Sequence, residues 1–280
     1  FQSWQAAVAS RAVDEEKVPV DAKTNGDPAA EATDEGVNPV ATQFRESINE
    51  ALSPRQNLPG FADPRIERIS GVELPPWFID RCRRAYMSVS FDPTAGCKVL
   101  GITSTSYGEG KTSVAIGVAM AMAVDTNKPT LLLECDLAAP SLHKFLGLDQ
   151  GRGLSEWLEG DSRLRVVRGA ATVPNVFMIP AGAPQPEPAR LFFQLVEREV
   201  MLGLRQTFAS VVIDLPPTAN LSYGTLAFGL ADRLLIVARS GVTLAQDLDN
   251  SIRSIGKERV SGIVLNGTDF RTPAWLRALL

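Results

Sequence analysis

The sequence predicts an α/β fold of three layers, α/β/α, in which helices cover both faces of a mainly parallel sheet. Beyond about residue 75, short apolar runs alternate with longer stretches of helical spacing, and the first run ends in a glycine-rich turn that opens a helix. Strands that are apolar throughout are buried on both faces, which is typical of parallel sheets. Ligands of such sheets bind beyond the carboxyl ends of the strands.

The segment before this pattern is predicted to be a disordered acidic tether. Residues 1–60 hold ten acidic and five basic side chains, whereas the rest of the chain holds 22 and 23. Val13 to Pro39 has no aromatic residue and no apolar periodicity, so it cannot bury enough surface to offset its conformational entropy. We predict a tether over residues 1–75, with one short helix at Thr42 to Leu52, and a folded nucleotide-binding domain over residues 76–280.

The elements of the domain follow from the apolar runs and the helical spacing between them. The predicted strands are Val99 to Ser104, Thr130 to Cys135, Val176 to Ile179, Ser210 to Asp214, Arg233 to Ala238 and Val260 to Asn266. The predicted helices are Lys111 to Asp125, Pro188 to Gln206, Ser222 to Ala231 and Leu244 to Ile255.

Composition and charge argue against a zinc site, a nucleic-acid partner and a membrane-spanning helix. Cys82, Cys97 and Cys135 form no CxxC pair and His143 is the single histidine, so the usual ligands cannot assemble a zinc site. This cysteine usage favours a reducing, intracellular setting. The charge beyond residue 60 is almost balanced, so nucleic acid is not an expected partner. The apolar run VAIGVAMAMAV from Val114 is too short to cross a bilayer and predicts a buried helix.

The stretch VLGITSTSYGEGKT joins the first strand of the domain to its helix. Gly108 and Gly110 let backbone N–H groups turn inward, and the helix offers unpaired N–H groups and the positive end of its dipole to an anion. Lys111 adds a mobile charge for the outer phosphates, and the Thr112 hydroxyl can ligate magnesium. These residues predict a nucleotide phosphate cradle. The strict pattern GxxxxGK[ST] has glycine where this chain has Thr105, and an ordinary glycine turn is the alternative.

Carboxylates end two further strands. Asp214 closes the run VVID, where a magnesium ion held by Thr112 needs an acidic group on the neighbouring strand; a helix cap or a turn aspartate is the alternative. Glu134 and Asp136 end the run LLLECD, and strand alternation predicts that both side chains point the same way. Two carboxylates facing a magnesium phosphate centre could hold the metal or accept a proton from a nucleophile.

In this order the three motifs ITSTSYGEGKT, ECDLAAP and VVIDLPP resemble the bacterial tyrosine kinases of capsule and exopolysaccharide assembly. Those kinases are the cytoplasmic domains of polysaccharide co-polymerases, within the MinD and ParA branch of P-loop ATPases. The resemblance covers about Arg83 to Phe270, and the phrases PSLHKFLGL, IPAGAPQPEPARLF and ADRLLIVARSGVT agree with it as well.

The resemblance implies an enzyme, a protein-tyrosine kinase that uses ATP and Mg²⁺ and regulates the polymerisation and export of capsule or exopolysaccharide. The catalytic residues that it implies are Lys111, Glu134, Asp136 and Asp214, and the metal ligands are Thr112, Asp136 and Asp214. Asn266 falls where the family contacts the adenine base. The expected ATP-binding residues are Ser106, Tyr107, Gly108, Glu109, Gly110, Lys111, Thr112, Ser113, Arg239 and Asn266.

The expected partner is a membrane-embedded co-polymerase segment or subunit, with a homo-oligomer as a further partner and no nucleic acid. The expected location is the cytoplasm at the inner face of the cell membrane. The chain would reach that face through the partner or through a membrane segment outside this sequence. A flexible acidic tether before the domain suits such an attachment.

Several residues depart from the family pattern. Four replacements fall in or near the motifs: Tyr107 for proline, Glu134 for aspartate, Ala138 for arginine and Tyr223 for aspartate. Ring formation by the usual contacts is not expected, because the charged positions of the family's assembly helix fall on Arg84, Met87 and Ser90. The last tyrosine is Tyr223, so the family's C-terminal tyrosine cluster is either outside this sequence or missing from the protein.

These departures keep two alternatives open. One is a degenerate regulatory module that binds nucleotide without transferring phosphate, which Ala138 and Tyr223 favour. The other is an ATPase of the MinD and ParA type, in which a lysine early in the phosphate loop reaches across a dimer. This chain has Ser106 at that position, which argues against the second alternative.

Overall fold

The computed structural model describes residues 66–68, 74–89, 98–161, 164–169, 173, 175–219 and 222–268, together with Thr42, Arg45, Glu46 and Ile48. All of them belong to one compact unit, Val37–Leu280. The tether predicted over Val13 to Pro39 lies outside the described residues. No helix in the described ranges is long and apolar enough to span a membrane.

A single mainly parallel sheet forms the middle layer. Its eight strands within the described residues are β1 (Ile66–Arg68), β2 (Val99–Ser104), β3 (Thr130–Glu134), β4 (Val166–Arg168), β5 (Val176–Ile179), β6 (Ser210–Asp214), β7 (Arg233–Arg239) and β8 (Val260–Asn266). The strand order is β1-β4-β5-β3-β6-β2-β7-β8, and every pair is parallel except β4 with β5. The predicted fold class is confirmed.

Helices lie on both faces of the sheet. They are α1 (Pro76–Ser88), α2 (Lys111–Thr126), α3 (Leu142–Phe145), α4 (Leu154–Leu158), α5 (Pro188–Glu197), α6 (Val200–Thr207), α7 (Gly224–Gly229) and α8 (Ala245–Ile255). The apolar strands serve two cores, because alternate residues face opposite sides. Leu131 and Leu133 of β3 pack with α4 to α8, whereas Leu132 packs with α1 and α2.

Helix α2 is the buried helix that the sequence predicts. Eleven of its 16 residues are buried, and α1 packs directly on it. Gly117 permits this close approach, because a Cβ there would lie 2.5 Å from the Cys82 sulfur of α1. The packing places the first turn of α2 at the centre of the sheet, directly after β2.

The predicted helix from Pro188 to Gln206 is two helices in the structure. Helix α5 ends at Glu197, and Glu199 adopts a φ of 51° before α6 begins at Val200. This turn lets both the Leu195 end of α5 and Leu204 of α6 bury in the same core. Neither glycine nor proline marks the break, so the sequence gives no local signal for it.

Two features lie before the predicted domain boundary at residue 76. Strand β1 pairs in parallel with β4 at the edge of the sheet. The described residues of the predicted helix from Thr42 to Leu52 are helical, and Ile48 is fully buried in the core that contains Phe208. Strand β1 and Ile48 thus pack with the predicted domain, although a three-residue strand and one buried apolar residue produce no periodicity in the sequence.

Candidate functional site

The candidate site lies at the carboxyl ends of the three central strands, β3, β6 and β2. Glu134, the last residue of β3, is directly opposite Asp214, the last residue of β6. Asp214 is in turn opposite Ile102 of β2, two residues before that strand ends. The sheet order therefore brings all three sequence motifs to one edge, as the rule for ligand sites in parallel sheets predicts.

The phosphate loop follows β2 and turns into α2 through two glycines. Gly108 has a φ of +81° and Gly110 has a φ of +95°, a backbone region that residues other than glycine rarely adopt. A Cβ on Gly110 would also lie 2.1 Å from Nδ2 of Asn266. Helix α2 begins at Lys111, so the N–H groups of its first turn, which includes Thr112 and Ser113, have no acceptor within the helix. This geometry suits an anion.

The Glu109 carboxylate holds the start of this loop from inside. It accepts hydrogen bonds from the backbone N–H groups of Thr105 (2.7 Å) and Ser106 (3.0 Å), and from the Thr105 hydroxyl (2.6 Å). The Thr243 hydroxyl, from the loop after β7, also donates to it. The departure from the strict motif thus has a use, because a glycine at 105 would lack this hydroxyl donor.

Asn266 and Arg239 hold the same loop from its other side. Nδ2 of Asn266 donates to the Glu109 carbonyl at 2.9 Å, and the Arg239 guanidinium donates to the Gly108 carbonyl at 3.2 Å. Both residues were predicted to bind the nucleotide, and in this structure both contact the backbone of the loop. The roles of Glu109 and Thr243 in the loop were missed, because neither type of contact has a sequence pattern.

A buried charged cluster lies beneath the loop. Nζ of Lys111 is 2.8 Å from Oδ2 of Asp136 and 3.4 Å from Oδ1 of Asp214. The Thr112 hydroxyl donates to Oδ2 of Asp214 at 2.7 Å and lies 3.0 Å from the Ser141 hydroxyl. Four of the predicted site residues therefore meet in one place, and Ser141 joins them unpredicted.

Burial and charge pairing compete in this cluster. Burial by itself would lower the pKa of Lys111, but the Asp214 and Asp136 carboxylates outweigh it and the pKa is raised. Burial raises the pKa of Asp214, although Lys111 and the Thr112 hydroxyl pull it down. Lys111 therefore stays charged and neutralises two carboxylates that would otherwise be buried without a counter-ion.

The donors in this cluster fit a magnesium nucleotide. Thr112 and Asp214 offer the hydroxyl and carboxylate oxygens that magnesium takes together with water and substrate phosphates. The described part of the chain contains no group of three or more His, Cys, Asp or Glu side chains that could hold a metal by itself. An ion here would thus depend on bound phosphates, as magnesium commonly does in phosphate-loop proteins.

Glu134 is not part of the charged cluster. Its Oε1 accepts the N–H groups of Ser141 (2.6 Å) and Leu142 (2.7 Å), and its Oε2 accepts the N–H of Ala181 (2.9 Å). Burial raises the pKa of Glu134 to about 7, even though these amides favour its ionised form. Glu134 and Asp136 were both predicted to be catalytic; in this structure the Glu134 carboxylate binds backbone N–H groups and the Asp136 carboxylate pairs with Lys111.

A cavity of about 710 Å³ opens beside the phosphate loop. Its lining includes Tyr107, Ala138, Pro188, Pro217 and Tyr223. Burial and the nearby Asp136 raise the pKa of both tyrosines, that of Tyr223 to about 12. Because arginine is replaced by Ala138, the cavity lacks a cation at the position where the resembling family carries one.

Fold and site together define an α/β protein with a glycine-containing loop at the carboxyl end of a parallel sheet, and solved structures agree with that fold. The kinase domain of Escherichia coli tyrosine kinase ETK aligns with a TM-score of 0.60 and 23% identity, over 68% of this chain and 75% of that one. The BceF tyrosine kinase domain aligns with a TM-score of 0.59 and 23% identity, over 79% and 89%. No family model matches the chain.

Sequence relatives narrow the class. Tyrosine-protein kinase Wzc of Salmonella typhimurium is 28% identical over 170 residues, which cover 60% of this chain and 24% of Wzc. Tyrosine-protein kinase CpsD of Streptococcus pneumoniae is 28% identical over 176 residues, 61% of this chain and 77% of CpsD. The chain thus spans about a quarter of the length of Wzc. The predicted resemblance to bacterial tyrosine kinases is confirmed by these relatives.

Proposed function

We propose that this chain carries an ATP-dependent tyrosine-kinase domain that regulates the assembly and export of a capsular or secreted polysaccharide. The observation that carries the proposal is the cluster in which Lys111 bridges Asp136 and Asp214 at the start of α2. The similarity of the chain to the tyrosine-protein kinases Wzc and CpsD supports phosphoryl transfer to tyrosine as the reaction. Residues 76–280 hold the proposed catalytic unit.

Bound ATP with Mg²⁺ supplies the transferable phosphoryl group and neutralises part of its charge. Lys111 would turn from the two carboxylates toward the outer phosphates, which the N–H groups of the loop and of the first turn of α2 would hold. The Thr112 hydroxyl, which contacts Asp214 and Ser141, would ligate the ion. Asp136, released from Lys111, would accept the proton of an acceptor tyrosine.

The proposed surroundings follow from the same resemblance. The domain works at the inner face of the cell membrane, on the cytoplasmic side, with a membrane-embedded co-polymerase segment or subunit as its partner. One similar solved structure is of the chimerical protein CapA2B2, with a TM-score of 0.60 and 21% identity. Oligomer formation, if it occurs, must use contacts other than those of the family's assembly helix, since α1 carries Arg84 and Met87 there.

Calorimetric titration with ATP and Mg²⁺ tests nucleotide binding. Lys111→Met should weaken ATP binding about 100-fold, because it removes the cation for the outer phosphates. Asp214→Asn should abolish the gain in affinity from Mg²⁺ while ATP binding without Mg²⁺ stays within about threefold. Lys128→Met, at an exposed lysine, is the matched control and should bind as the wild type does. Absence of adenine-nucleotide binding by folded wild-type protein would contradict the proposal.

The chemical step needs a second measurement in the same samples. With ATP labelled at the γ-phosphate and a peptide bearing several tyrosines, label should reach tyrosine with the wild type and not with Lys111→Met. A regulatory module without phosphoryl transfer is the second candidate, which Ala138 in the cavity wall favours. Nucleotide binding without any labelled tyrosine would select that candidate over the kinase.

A further inference from the structure

Glu134 connects three separate segments at the carboxyl edge of the sheet. It is the last residue of β3, it is fully buried, and both of its carboxylate oxygens are used by backbone N–H groups. Ser141 and Leu142 open α3, whereas Ala181 lies in the loop that follows β5. The three donors are 7, 8 and 47 residues away along the chain.

Each of these segments leads to a part of the site. The Ser141 hydroxyl lies 3.0 Å from the Thr112 hydroxyl, which donates to Asp214. The loop from Ala181 continues to Pro188, which lines the cavity beside the phosphate loop. The backbone N–H of Gln185 in that loop also donates to the Leu137 carbonyl at 2.8 Å. A shift of the Glu134 carboxylate would therefore displace residues on both sides of the site.

We propose that Glu134 is a positioning residue that holds Ser141, and through it the Thr112 hydroxyl, in place for the metal and fixes the adjacent wall of the cavity. It neither binds the metal nor accepts the proton. We call the three hydrogen bonds that Glu134 accepts from backbone N–H groups the latch. The latch exists in the protein without nucleotide, and only its role in positioning the metal site rests on the proposed function.

The length of the side chain distinguishes the latch from a catalytic acid. An aspartate at 134 would end one methylene earlier, about 1.5 Å short. It could not reach the amides of Ser141 and Ala181 together. Glu134→Asp should therefore release these amides in the free protein, an effect that a residue acting only as metal ligand or proton acceptor would not have.

Amide hydrogen exchange of the free protein tests the latch without nucleotide. In Glu134→Asp, exchange at Ser141, Leu142 and Ala181 should become at least about tenfold faster. The amides of Thr105 and Ser106, which Glu109 holds, should keep their wild-type rates and serve as the internal control. Unchanged exchange at all three latch amides would overturn the proposal.

The magnesium dependence of ATP binding tests the purpose of the latch. Glu134→Asp should raise the Mg²⁺ concentration for half-maximal ATP binding about tenfold, with ATP affinity in EDTA within about twofold of wild type. Ser141→Ala leaves the latch amides in place and should give the same shift in Mg²⁺ dependence without faster exchange at Ala181. This second variant keeps the test usable if Glu134→Asp does not fold.

The two failures are distinguishable. If wild-type protein binds no ATP, the proposed function is lost, while the exchange rates still decide whether the latch exists. If wild type binds Mg²⁺ and ATP and both variants keep the wild-type Mg²⁺ dependence, the positioning role is overturned and the proposed function stands.

Discussion

Two sets of acidic residues share the carboxyl edge of this sheet and differ in what they bind. Glu109, Glu134 and Glu156 accept hydrogen bonds from backbone N–H groups of loops, at 2.6 to 3.0 Å. Asp136 and Asp214 instead face the side chains of the first two residues of α2, and Asp136 accepts in addition the backbone N–H of Ala139 at 3.3 Å. The glutamates therefore fix loops, whereas the aspartates hold partners that can move.

This difference separates the contacts that hold the loops of the site from the Lys111 contacts that a ligand could replace. A backbone N–H cannot leave its carboxylate unless the loop itself moves, so the glutamate contacts persist whether or not a ligand is bound. The ammonium group of Lys111 lies at the end of a flexible four-carbon stem and can pass from carboxylates to phosphates. In the free protein the two aspartates hold that cation, because each would otherwise be a buried charge without a counter-ion.

Removal of the cation should have the largest effect on the free protein. Lys111→Met leaves Asp136 and Asp214 buried without Lys111, so the free energy of unfolding at pH 8 should fall by about 3 kcal/mol. The loss should shrink at pH 5, since Asp214, whose pKa is raised by burial, can then take up a proton more readily. Urea denaturation at both pH values measures it.

The double variant Lys111→Met with Asp214→Asn is the control for this effect. It removes one of the two unpaired charges and should recover part of the lost stability at pH 8. Equal stability of the wild type and the single variant would show that the aspartates need no stored cation.

Loss of one carboxylate oxygen that accepts backbone N–H groups should have a smaller effect. Glu109→Gln replaces one acceptor oxygen by an NH₂ group, so the free energy of unfolding should fall by about 1 to 2 kcal/mol and ATP binding should weaken about tenfold. Thermal or urea denaturation and calorimetry measure the two effects. Glu159→Gln is the matched control, because its ion pair with Arg190 is exposed and such pairs contribute about 0 to 1 kcal/mol.

Asp232, at the amino ends of the parallel strands, also binds backbone N–H groups and allows a pH test away from the site. Asp232 accepts the N–H groups of Lys98 and Val99, at 2.8 and 2.9 Å, and pairs with Arg205. Burial opposes ionisation, but Arg205 and the two amides outweigh it and lower the pKa of Asp232. Asp232→Asn should cost about 1 to 2 kcal/mol at pH 7.

The sign of the pH dependence follows from the lowered pKa. The contribution of Asp232 is complete above the pKa of an unfolded aspartate, about 3.9, and is lost as the pH falls through the lower folded value. The difference between wild type and Asp232→Asn should therefore be constant from pH 5 to 8 and shrink below pH 4. A difference that grows on acidification would contradict this assignment.

The Tyr107 hydroxyl should matter least for stability. The side chain is 58% exposed at the edge of the cavity, so Tyr107→Phe should change the free energy of unfolding by less than about 0.5 kcal/mol. ATP affinity should stay within about twofold of wild type, because the proposed function assigns the phosphates to the loop backbone and Lys111. A larger loss of affinity would place the hydroxyl among the ligands of the nucleotide.

The sequence predicts most of the central sheet because its signals are local. The bounds of β2, β5, β6 and β8 are confirmed as predicted, since each strand is a mainly apolar run closed by a polar residue or a turn. Strands β1 and β4, at one side of the sheet, were not predicted, because three residues are too few to show a period. The break at Glu199 was missed because packing of α6, rather than a helix-ending residue, produces it.

What the sequence by itself determined is the phosphate loop, the parallel sheet that carries it and the acids that end its strands, because glycine spacing, helix starts and apolar runs are properties of neighbouring residues. Only the tertiary structure decided which acid meets which donor. Asp214 reaches Thr112 across 102 residues, and Glu134 reaches Ala181 across 47, through the strand order β5-β3-β6. A carboxylate binds the nearest donor that burial leaves it, and that donor depends on how distant segments pack.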